Sequence, residues 1–81
     1  MFIFDYSLLR GRIREYYKTE SKFAIALRNS NIEMSAGSFS NKINGKVDFK
    51  QTEILVICDL LKIPHKEISE YFFKKKYEFN S

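Results

Sequence analysis

The stretch TESKFAIALRNSNIEMSAGSFSNKINGK, residues 19–46, decides how this 81-residue chain is read. Thr19 suits a helix N-cap, and Glu20 is favoured in the first turn by the helix dipole. Phe23, Ala24, Ala26 and Leu27 then form one apolar face, which predicts a helix ending near Arg28 or Asn29. Arg28-Asn29-Ser30-Asn31 is turn chemistry, and Ile32 to Met34 lead out of it. Ser35 is positioned to cap a short helix over Ala36 to Ile43. Within it Phe39 and Ile43 stand one turn apart and face inward, whereas Ser38, Asn41 and Lys42 fall elsewhere. Asn44-Gly45 stops the helix, because either residue accepts the left-handed conformation at a C-terminus. A hairpin is the other reading of Asn-Gly, but no alternating strand flanks the pair.

Helical periodicity extends to both sides. Leu9, Ile13, Tyr16 and Tyr17 recur at helical spacing between about Asp5 and Tyr17, with Arg10, Arg12 and Arg14 largely off that stripe. Asp5 or Ser7 can cap this first helix, and Gly11 inside it either permits close packing or simply weakens it. From about Gln51 to Lys62, Ile54, Ile57, Cys58 and Leu61 make an i, i+3, i+4, i+7 stripe, widened by Leu55 and Leu60. Asp48 with Gln51 offers a capping box that would start this helix earlier. Pro64 opens a short fifth helix with Ile68, Tyr71 and Phe72 on one side. Beyond Phe73 the chain is Lys-rich with Tyr77 and Phe79 alternating, either frayed or a short strand pairing with another copy. The expectation is an all-α fold of about five short helices over residues 1–73, followed by a basic, aromatic tail over 74–81.

Composition excludes much. With 44% hydrophobic and 30% charged residues the chain is globular, and one domain is all that its length supports. The apolar run Ile54-Leu55-Val56-Ile57-Cys58 is far short of the roughly 20 residues that span a bilayer. Met1-Phe2-Ile3-Phe4 is broken by Asp5 and lacks a basic leader, which predicts no secretory signal. A single cysteine forms no internal disulfide, so a reducing cytoplasm is expected. One His (His65) and one Cys (Cys58) build no zinc site, and Gly11, Gly37 and Gly45 stand alone rather than in a phosphate loop. Cys58 reads as a small core residue, His65 as solvated surface, and Glu67 with Glu70 as a solvated helix face rather than a catalytic pair. No enzyme, no metal and no cofactor are expected. The net charge of +4 is uneven: +4 over residues 1–50, −2 over 51–73 and +2 over 74–81. An ordinary solvated surface explains such numbers, and so does a polyanion-binding face on the N-terminal half.

Two short helices joined by a turn, the second small, polar and capped by Ser, are the ingredients of a helix-turn-helix. Thr19-Glu20-Ser21-Lys22-Phe23-Ala24, then Met34-Ser35, then Phe39-Ser40-Asn41-Lys42-Ile43-Asn44-Gly45-Lys46 resembles the Cro/CI-type (XRE-like) family of phage regulators. Phe49-Lys50-Gln51-Thr52-Glu53-Ile54 and Glu70-Tyr71-Phe72-Phe73 resemble its small single-domain branch, so the likeness covers about residues 5–73. It implies a lambda-repressor-like domain and a sequence-specific transcriptional regulator, a Cro-like repressor of a phage or prophage acting in the cytoplasm of a bacterial host. The helix over residues 36–43 would enter the major groove of operator DNA. Ser38 and Asn41 would read bases, with Lys42 on a guanine or a phosphate and Ala36 and Gly37 in close approach. Thr19, Ser35, Lys22 and Lys46 would hold phosphates. A homodimer on two half-sites is implied, its surface supplied by Tyr71-Phe72-Phe73 and the tail unless Phe72 closes the domain's own core.

The chain departs from the family pattern in two ways. About five extra residues, within Arg28 to Glu33, separate the two central helices, and Glu20 stands where the family commonly has a Gln on the DNA backbone. A carboxylate there is repelled by phosphate. These departures, with the acidic fourth segment, suit an alternative: an antirepressor or modulator that binds another repressor protein instead of DNA.

Overall fold

The computed structural model describes residues 2–77. Five helices carry the core: α1 Ser7–Tyr17, α2 Glu20–Asn29, α3 Ala36–Ile43, α4 Gln51–Leu61 and α5 Ile68–Phe72. A 3-10 turn at His65–Glu67 leads into α5, and two three-residue strands, β1 Phe2–Phe4 and β2 Lys75–Tyr77, bring the ends together. Helix α1 packs on α2, α4 and α5, while α2 packs on α3 and α4.

The first three helices start where the sequence supplies a side-chain acceptor. Asp5 Oδ1 accepts from the Ser7 amide at 2.9 Å and from the Ser7 hydroxyl, so Asp5 fixes the start of α1. Thr19 Oγ1 accepts from the Lys22 amide at 3.1 Å, and Ser35 Oγ from the Ser38 amide at 3.1 Å. Helix α4 begins at Gln51, as its apolar stripe predicts, but without the Asp48–Gln51 box. Its N-cap is Lys50, which has no acceptor, and the Glu53 carboxylate reaches back to the Lys50 amide at 2.8 Å. The box is therefore one-sided and sits two residues later than Asp48 predicts.

Three helices end in the same way, with a left-handed residue followed by a bond to the carbonyl five residues earlier. Asn31 (φ 64°) with Ile32 N–H to Leu27 O closes α2, and Gly45 (φ 79°) with Lys46 N–H to Asn41 O closes α3. Lys62 (φ 57°) with Ile63 N–H to Cys58 O closes α4. Asn44-Gly45 is thus a helix stop, as its sequence predicts.

The core joins Leu9 and Ile13 of α1, Phe23 and Leu27 of α2, Phe39 and Ile43 of α3, Ile57 and Leu61 of α4, and Tyr71 and Phe72 of α5. Edge-on ring pairs run through it: Phe23–Phe39 at 5.6 Å, Tyr6–Phe49 at 5.4 Å and Phe49–Phe72 at 5.6 Å. Phe72 therefore closes this domain's own core, and of the trio expected at a dimer surface only Phe73 is exposed. Leu55, expected to widen the α4 stripe inward, is also exposed, because the burial of Glu53 and Ile54 rotates it outward.

The tail forms a strand, but its partner lies in the same chain. Phe2 faces Tyr77, Ile3 faces Lys76 and Phe4 faces Lys75 in an antiparallel ladder, extended by Asp5 N–H to Lys74 O at 2.7 Å. Edge contacts of Phe2 with Tyr77 and of Phe4 with Phe73 cover this ladder. Phe79 lies outside the described residues.

Candidate nucleic-acid interface

Burial of Phe39, Lys42 and Ile43 fixes which side of α3 points out. At about 100° per residue the opposite side centres on Gly37 and Asn41, with Ser40 and Ser38 on its two flanks, while Ala36 lies nearer the Ile43 line and is exposed at the first turn. Ala36, Gly37, Ser40 and Asn41 are all exposed, and Ser38 is half-buried. The outward surface of α3 thus carries two hydroxyls, an amide and two positions with little or no side chain. Such a surface allows close approach to a partner and hydrogen bonds in both senses.

The groups expected on phosphates surround this face. Thr19, Lys22, Ser35 and Lys46 are exposed. Both hydroxyl oxygens accept a capping amide, which leaves each hydroxyl proton free to donate. A shallow groove lined by Glu20, Ser21, Ala36, Phe39 and Ser40 runs between the start of α2 and α3. A wider one, lined by Arg28, Asn31, Ile32, Glu33, Met34 and Ser35, lies along the connection into α3.

Lys42 is the correction. It leaves 6% of its surface exposed, and its Nζ lies 2.7 Å from both oxygens of Glu53, itself 5% exposed. An ammonium committed to a buried carboxylate reaches neither a guanine nor a phosphate. The sequence places a lysine three residues after Phe39, and only its long-range partner on α4 explains why it turns inward.

Glu20 has a partner as well. Arg10 Nη1 donates to Glu20 Oε2 at 2.6 Å, and Arg10 Nη2 donates to Ile43 O at 3.2 Å and to Asn44 Oδ1. The carboxylate is held by a cation instead of opposing an incoming phosphate alone. One guanidinium of α1 thereby joins the start of α2 to the end of α3. Both partners remain about one-third exposed, so the pair contributes alignment more than stability. Arg12 acts elsewhere, donating to Leu61 O and Lys62 O at 2.8 Å each and so satisfying the end of α4.

Sequence reasoning missed Ser40 and Arg10. Ser40 carries a readable signal, since it lies four residues after Ala36 and off the Phe39–Ile43 line. Arg10 carries none, because its partners are 10, 33 and 34 residues away. Cys58 is a core residue as expected, and burial pushes its thiol above the ordinary value. No helix among the described residues is long and apolar enough to cross a membrane.

Comparison with curated proteins gives no match. A family model described as a protein of unknown function (DUF739) matches residues 2–75, nearly the whole described chain. On that match the chain belongs to the DUF739 family.

Proposed function

We propose that this protein is a sequence-specific double-stranded DNA-binding regulator, a Cro-like repressor of a phage or prophage. It would act in the cytoplasm of a bacterial host by occupying an operator and blocking polymerase. The observation that carries the reading is the outward face of α3. Its small and neutral hydrogen-bonding residues sit on a helix held from below, with hydroxyl-capped helix starts and exposed lysines around it. In the major groove Asn41 pairs bidentately with adenine, Ser38 and Ser40 bond to either donors or acceptors, and Ala36 and Gly37 let the backbone approach. Lys22, Lys46, Thr19 and Ser35 hold phosphates and fix the register.

An eight-residue helix is about 12 Å long and spans only a few base pairs. Two copies on half-sites about 34 Å apart would supply the rest of the sequence recognition. Two substitutions test the assignment by electrophoretic mobility shift. Asn41→Ala should weaken the selected operator by about 1–3 kcal/mol and leave non-operator duplex unaffected. Lys46→Ala should weaken both alike and reduce the salt slope by about one. Equal loss on both duplexes for Asn41→Ala would remove α3 as the reader.

A second reading keeps one supporting observation. Leu55 and Phe73, 46% and 51% exposed, line an apolar groove with Ile54 and Ile68, as a repressor-binding modulator would need. Charge reversal at Lys46 with unchanged regulation in cells would favour that modulator.

A further inference from the structure

Helix α3 has two apolar anchors, Phe39 and Ile43. One turn apart, they lie almost on a single line along the helix, and these two contacts by themselves leave it able to roll about that line, with Arg10 adding bonds only at its C-terminal end, to Ile43 O and Asn44 Oδ1. Lys42 is the third inward residue, about 60° round the helix from Phe39 and about 100° from Ile43. Its Nζ is fixed against both Glu53 oxygens at 2.7 Å, and Glu53 is itself fixed by the Lys50 amide at the start of α4.

We propose that the buried Lys42–Glu53 pair sets the roll of α3 and so determines which bases its outward face can select; this rests on the DNA-binding reading above. These are positioning residues that touch no DNA. Stability alone gives little reason for the pair, since apolar side chains of similar volume usually replace a buried ion pair without loss. Geometry gives a better one. With a helix radius of about 5–6 Å, a roll of about 20° moves an outward side chain by about 2 Å. That displacement breaks a hydrogen bond whose range is only about 2.7–3.2 Å.

The test measures affinity for selected operator and for non-operator duplex in wild type, Lys42→Met/Glu53→Met and Glu53→Asp. Neither variant changes the net charge, so long-range attraction to DNA is preserved. The double variant removes both buried charges together but also loses the Glu53 bond to the Lys50 amide, so its melting temperature should stay near the wild-type value or fall slightly, and Glu53→Asp keeps both charges on a shorter arm. In each, the operator-to-non-operator ratio should fall about fivefold or more while non-operator affinity stays within about twofold. A folded double variant with the wild-type ratio overturns the proposal. If the double variant does not fold, Glu53→Asp decides by the same criterion, and failure of both to fold makes the pair a stability element and also overturns it. Absence of operator selection by wild type is a separate result: it removes the DNA-binding reading and this inference with it.

Discussion

Gly11 stands in the middle of α1, exposed, with no atom within 4 Å of where a Cβ would lie. Gly11→Ala should therefore raise stability by about 0.5–1 kcal/mol, through helix propensity alone. Gly45 has equal room but a φ of 79°, so Gly45→Ala should lower stability by about 1 kcal/mol. Urea unfolding of both variants checks the pair, and a stabilised Gly45→Ala would contradict the helix ending described. Open space at Gly11 also decides between its two sequence readings: it weakens the helix and permits no close packing. Lys42 shows the limit of reading single residues. In a short polar helix a lysine is taken as solvated, and nothing within ten residues reveals the buried carboxylate that draws it inward.

At the scale of elements, the caps are strong local signals. Ser35→Ala and Thr19→Ala should each cost about 1 kcal/mol, because each leaves a first-turn amide without its acceptor. Thermal unfolding monitored at helical wavelengths reads both, and no loss for either would mean that water replaces the hydroxyl. Asp5 adds a pH dependence at the start of α1. Bonds from the Ser7 hydroxyl and amide hold its carboxyl below the ordinary value, assisted by nearby Lys74 and Lys76. A depressed folded-state value contributes stability above the ordinary carboxylate range, lost as pH falls through that lower value. An NMR titration should place the Asp5 midpoint below about 3.9, and a midpoint at or above it would contradict the capping bond.

The five helices were legible because apolar spacing, Thr or Ser caps and the Asn-Gly stop all act within a few residues. Strand β1 was not. Three residues give no usable periodicity, and the partner of Phe2 is Tyr77 at the far end of the chain. The stretch from Arg28 to Glu33, which reads in the sequence as a connection between α2 and α3, is only partly one. Arg28 and Asn29 belong to α2, and Asn31 with Ile32 form its closing turn, so the spacer is partly a helix end.

At the scale of the whole molecule, the described residues form a five-helix core closed by a small sheet of β1 and β2, with a positive excess in the first fifty residues of the chain. Fold class and the position of α3 followed from local pattern. The support beneath α3, Arg10 from one side and Lys42 with Glu53 from another, did not, because it is assembled from side chains far apart in sequence. The central claim is that this support presents a base-reading helix. The most direct measurement is fluorescence anisotropy of the protein with a randomised duplex pool across a salt series, followed by sequencing of the bound fraction. The prediction is enrichment of a two-fold symmetric site, with log affinity falling by about 0.9 per phosphate contact for each decade of salt. Folded protein that binds no duplex at low salt, or binds the pool without selecting any sequence, would contradict it.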